Sequence, residues 1–247
     1  MNNTTLFLVL ALAVPLTSSS LAEAKALTAK EARALFDKAD RTLNEVWTAA
    51  KRALPESEFN SLKESQRAWV EHRDYLARSP QFTGADFHGE LPLDSPEYLT
   101  TAAGLAEERT TWLKGLMSEA TDETLTGLWS DSYGGGIEIV ESGGHLHFVM
   151  TCVRGRTSHL GGLAGSAVWN QTIGWFSDKG RESGNTAEAN VSFILRGRQL
   201  EVVGANTGAY HGARASFDGS YVKVQPLNAK AQAKVVKAAK SGEVPEE

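Results

Sequence analysis

The chain has 247 residues, 41% hydrophobic and 22% charged, with 25 Lys and Arg against 30 Asp and Glu. That composition fits a globular protein long enough for one or two domains with real cores. A net charge of −5 excludes a basic nucleic-acid footprint, and the single cysteine, Cys152, excludes an intrachain disulfide.

Leu6 to Leu16 is an apolar run of signal-peptide length, too short to span a bilayer. Small residues follow, and Ala22-Glu23-Ala24 fits a cleavage site, with Ser20-Leu21-Ala22 as competitor. No Lys or Arg precedes the run, so an uncleaved anchor is the alternative. Residues 1–24 are read as a cleavable signal peptide, which makes the mature chain periplasmic or secreted. No second apolar run of membrane length follows.

Residues 25–124 read as a helical domain. Thr28 and Glu31 form a capping box for a helix over 28–53, with Leu35, Phe36, Ala39, Leu43, Trp47 and Ala50 as its apolar stripe. Pro55 breaks the chain, and a second helix runs to about Arg78, where Ser79-Pro80 ends it. Residues 80–95 hold glycines and prolines and read as a loop. Ser95 caps a third helix with Pro96 in its first turn, running to about Ala120. Short connections between three helices predict an antiparallel bundle.

Polar residues interrupt the first two stripes. Asp40 and Asn44 sit four apart beside Leu43 and Trp47, while Leu62, Gln66, Trp69 and Arg73 share one face of the second helix, followed by Asp74. Burying such groups costs energy unless they are paired. The spacing predicts that Arg73 pairs with Asp40 across a helical hairpin, with Asn44 and Gln66 completing the bonds. The set Asp40, Asn44, Gln66, Trp69, Arg73 and Asp74 is then a polar latch, or alternatively a partner surface beside Trp69.

The strings A-D-x-x-L-N-x-x-W and L-x-x-x-Q-R-A-W-x-x-x-R-D resemble the N-terminal domain of the LprI lysozyme-inhibitor family, over roughly Leu27 to Met117. The resemblance implies a non-catalytic envelope protein, a candidate lysozyme inhibitor that blocks a cleft with a protruding loop or acidic surface. Members commonly carry cysteines, one shortly after the R-D; here Tyr75, Leu76 and Ala77 occupy that region. The family's disulfide is therefore absent, and with no lipobox cysteine the chain is not read as a lipoprotein. Residues 25–124 carry 13 basic against 18 acidic side chains, which suits a cationic partner such as a lysozyme, although solvated acidic helices are common.

From Thr126-Gly127 to Val224 the chain turns glycine-rich, with about eight short alternating segments and hairpin turns at Gly143-Gly144 and Arg196-Gly197-Arg198. Residues 125–224 are predicted to form a small antiparallel barrel or sandwich, and the similar starts Gly127-Leu128-Trp129 and Gly219-Ser220-Tyr221 fit strands that meet and close a barrel. Leu146, Phe148, Met150 and Cys152 share a core face, which makes Cys152 a buried small hydrophobe. His145 and His147 share the other face and are read as solvated rather than as metal ligands. Arg154, Arg156 and His159 form a polar loop that could contact a glycan or an anionic partner. Residues 225–247 read as a basic tail, a solvated terminus, with a membrane-surface helix as the alternative.

Nothing in the chain argues for catalysis: there is no G-x-S-x-G, and Gly134-Gly135-Gly136 precedes a strand rather than a helix. No cofactor or metal is expected. The competing reading to an inhibitor is a binding module for an envelope glycan or small ligand in the β domain, whose aromatics (Trp129, Tyr133, Trp169, Trp175, Tyr210, Tyr221) would permit it.

Overall fold

The computed structural model describes residues 27–118, 124–154, 159–179 and 187–245. The signal-peptide segment and Arg156 lie outside these residues. The helical part comprises α1 (Ala29–Ala53), α2 (Glu56–Ala77), a single turn α3 (Pro80–Thr83) and α4 (Pro96–Met117). The expected capping box at Thr28 and Glu31 is present, and Ser95 accepts a hydrogen bond from the Tyr98 N–H. α4 is the central helix. It buries residues around most of its circumference, and α1 and α2 each pack chiefly on it, with little direct contact between themselves. The two outer helices meet mainly through Trp47 against Phe59, with ring centroids 4.9 Å apart, and Arg73 over Phe36.

Eight antiparallel strands follow: β1 (Gly127–Ser130), β2 (Gly135–Ser142), β3 (His145–Val153), β4 (Leu160–Trp169), β5 (Ile173–Ser177), β6 (Asn190–Arg196), β7 (Gln199–Ala205) and β8 (Gly219–Gln225). Each pairs with the next, and β8 pairs with β1, so the barrel is closed and has no free edge. The β2–β3 hairpin turns on Gly143 and Gly144, both at positive φ, as a two-residue primed turn requires. Side chains fill the interior. Phe148 packs between Phe176 and Phe193, and Ile137, Leu146, Met150 and Cys152 are almost fully buried around them. These side chains form one contiguous core within the barrel.

The predicted solvated tail is instead a docked helix, α5 (Ala229–Ser241), capped by Asn228. Its Val235 and Ala238 cover Val140, Val149 and Ala164 on the outer face of β2, β3 and β4. This explains why Val149 is buried although alternation places it outside the barrel. Its four lysines, Lys230, Lys234, Lys237 and Lys240, stay in water while its apolar face is buried.

α4 also touches the barrel directly. A Cβ at Gly115 would stand 2.6 Å from the Lys223 carbonyl oxygen and 2.8 Å from Val222. Only glycine lets the helix lie this close to β8, and Val222 completes the helical core cluster.

Candidate functional site

Ser65, Gln66 and Asp74 of α2 face α4, while Arg73 lies over Phe36 of α1. Gln66 Oε1 accepts a bond from Arg109 Nε at 2.9 Å, and Ser65 Oγ accepts one from Arg109 Nη2 at 3.0 Å. Asp74 accepts from the Tyr98 hydroxyl at 2.9 Å and pairs with Arg73, also at 2.9 Å. Trp69 is 1% exposed and lies between the guanidinium groups of Arg73 and Arg109. The expected Arg73–Asp40 pair is therefore corrected: Arg73 takes its own neighbour Asp74. Asn44 donates to the Asp40 carboxylate and carbonyl within α1, and Asn44 itself is exposed. The physical reason is the position of α4, which keeps α1 and α2 apart, so the polar stripe of α2 is spent on α4.

Beyond the α2–α4 joint the chain from Gly84 to Ser95 projects outward. Its Phe87 and Leu93 are 46% and 56% exposed, and Asp86, Glu90 and Asp94 are exposed beside them. Leu91, 2% exposed, anchors this loop among Ala77, Leu99 and Ala102, and its N–H donates to the Arg78 carbonyl at 2.9 Å. A loop fixed at its middle presents its tip with less ordering cost on binding.

At the other end of α2 the helical part meets the barrel. The β1–β2 loop is built on Asp131, whose Oδ1 accepts the N–H groups of Tyr133 and Gly135 at 2.8 Å and whose Oδ2 pairs with Arg154 at 2.6 Å. Arg154 also donates to the carbonyls of Tyr133 and Ser216, which uses its fork fully. Asp131 raises the affinity of Arg154 for its proton. Tyr133 reaches across the joint and donates from its hydroxyl to the Ser65 carbonyl at 2.8 Å, with its ring against His72. Burial, and then the charge of Arg154, hold the His72 imidazole below its usual range. Burial, assisted by Asp131, pushes the Glu108 carboxyl up to about 7.

Between α2, the end of α4, the β6–β7 turn and residues 214–220 lies a cleft of about 1220 Å³. Arg154 lines it, although its guanidinium is largely buried and paired rather than presented freely. His159 is 8% exposed, and its carbonyl accepts the Arg154 N–H, so it holds the loop in place. His145 is exposed as expected, while His147 is half-buried and bonded to Ser166 at 2.8 Å. The described residues hold no cluster of three or more His, Cys, Asp or Glu suited to a metal.

Sequence reasoning did not single out Arg109 as a site residue, although it is fully buried and central to the joint between α2 and α4. The signal was available: a cation in the apolar stripe of the third helix, the same criterion that singled out Arg73. Asp131 gave no such signal, because its partner Arg154 is brought to it only by barrel register.

Residues 18–114 match the family model described as Lysozyme inhibitor LprI, which covers the helical region and leaves the barrel unassigned. No curated protein and no solved structure matches the chain. No helix among the described residues is long and apolar enough to cross a membrane.

Proposed function

We propose that this protein is a non-catalytic inhibitor of a lysozyme-type muramidase, acting in the periplasm or outside the cell after cleavage of residues 1–24. The match of residues 18–114 to the lysozyme-inhibitor family carries this reading. The geometry of the Gly84–Ser95 loop supports it. Exposed Phe87 and Leu93 supply apolar contact for a cleft, and Asp86 and Asp94 supply charge complementary to a cationic enzyme, while Glu90 is paired with Arg78. The barrel serves as the platform on which the helices stand, through Gly115 on β8 and Tyr133 on Ser65.

Lysis of a cell-wall suspension by lysozyme, followed by turbidity with and without the mature protein, tests the proposal. Slowing at equimolar protein is expected, and its loss is expected in a Phe87→Ala/Leu93→Ala double variant. No slowing at tenfold excess contradicts the inhibitor reading.

A further inference from the structure

The helix–barrel cleft has an unpaired donor in its wall. Trp112, 5% exposed, lines it, and its indole N–H is buried without a hydrogen-bond partner. Behind Trp112 and outside the lining itself, with its guanidinium carbon 4.3 Å from the ring centroid, lies fully buried Arg109, whose Nη1 likewise finds no partner. A buried indole N–H or guanidinium N–H without an acceptor costs about 1–3 kcal/mol, so this pair beside one opening calls for an explanation in that opening.

Charge points the same way. Arg109 is bonded only to the neutral side chains of Gln66 and Ser65, and burial pulls its affinity for the proton down, to a pKa of about 10. The carboxylate whose field reaches it, Asp131, is already spent on Arg154 and two backbone N–H groups. Four arginines line the cleft from the barrel side, of which Arg154 is spent on Asp131. Arg196 is paired with Glu201, but Arg198 reaches only the Met117 carbonyl at 3.4 Å, and Arg214 has no ion pair or hydrogen bond among the described residues. Arg214 is held at φ 61°, a left-handed conformation that costs a non-glycine residue energy and recurs where a side chain is aimed for use. Of the facing acids, Asp218 accepts the Gly204 N–H at 2.6 Å, which leaves Glu58 at the rim.

We propose that this cleft binds a carboxylate-bearing oligomer a few units long. One carboxylate is met by the Trp112 N–H and the charge of Arg109 at the base, and further acidic groups by Arg198 and Arg214 at the rim. Such a ligand supplies the acceptors and the negative charge that the wall lacks, and the volume exceeds what a single small anion fills. The proposal stands on the cleft alone and does not depend on the loop at Gly84–Ser95.

Calorimetric titration of the mature protein tests it with tetraglutamate and trigalacturonate as acidic probes and tetralysine and chitotriose as controls. At least one acidic probe is expected to bind with a Kd below about 1 mM, with neither control doing so. Tetraglutamate alone assigns an acidic peptide, trigalacturonate alone an acidic sugar, and both together the carboxylate without regard to its scaffold. The exposed pair Arg198→Gln/Arg214→Gln is expected to weaken binding about tenfold. Trp112→Phe, which keeps a ring beneath Arg109 and removes the N–H, is expected to weaken it about fivefold. Arg67→Gln, on the exposed face of α2, is expected to leave binding unchanged. Absence of binding by both acidic probes, equal binding of chitotriose, or equal loss in Arg67→Gln overturns the proposal.

Discussion

Two stretches of the same helix pair treat their polar groups in opposite ways. Toward the C-terminus of α2, Arg73, Asp74 and Tyr98 satisfy one another, and Gln66 and Ser65 take two donors of Arg109. Toward the barrel, the Trp112 indole N–H and Arg109 Nη1 are buried without partners. Apart from Arg78 Nε, the first region is closed and holds the helices together. The second is open, and its missing acceptors must come from elsewhere. Saturation of hydrogen bonds, rather than the presence of polar residues in an apolar stripe, separates a clasp from a site.

The comparison can be broken by mutation. Trp69→Ala removes the ring between Arg73 and Arg109 and should cost about 4 kcal/mol in urea unfolding. Asp131→Ala leaves Arg154 buried without its acid and should cost about 3 kcal/mol, loosening the barrel side of the cleft. Glu108 gives a pH-dependent effect. Its folded pKa of about 7 lies above the ordinary glutamate value of 4.5, so the folded state holds the proton more tightly. Stability should therefore fall as pH rises from about 4.5 to about 7 and level off above, and Glu108→Gln should remove that slope, worth about 2 kcal/mol at pH 8. Tyr98→Phe takes one donor from Asp74, which keeps Arg73, and should cost about 1 kcal/mol. Arg214→Gln should change stability by less than about 0.5 kcal/mol, because the side chain is exposed and unpaired. A large loss of stability in that last variant would mean that the open region is structural after all.

Much of the fold is readable from the chain. All eight strands coincide with alternating segments between glycine turns, because the barrel interior imposes a period of two. The helix starts follow from Thr28 and Ser95. Closure was left between barrel and sandwich, since the meeting of β1 with β8 depends on strand tilt and stagger rather than on local pattern. The docking of α5 was hidden because Val140 and Val149 look like lapses in alternation until a helix covers them. The polar stripe of α2 is legible in the sequence but its partners are not, because helix faces are periodic in sequence whereas the choice of neighbour is made by the third helix. The cleft is assembled from segments between residues 53 and 220, none of which is distinctive alone.

The central claim is inhibition of a lysozyme by the loop between α2 and α4. Its most direct test is the rate of lysozyme-driven clearing of a cell-wall suspension with wild-type protein, the Phe87→Ala/Leu93→Ala variant and the Arg198→Gln/Arg214→Gln variant side by side. Slowed clearing is expected with wild type and with the cleft variant, and uninhibited clearing with the loop variant. Uninhibited clearing with wild-type protein at tenfold excess, or inhibition that survives loss of both loop side chains, would contradict it.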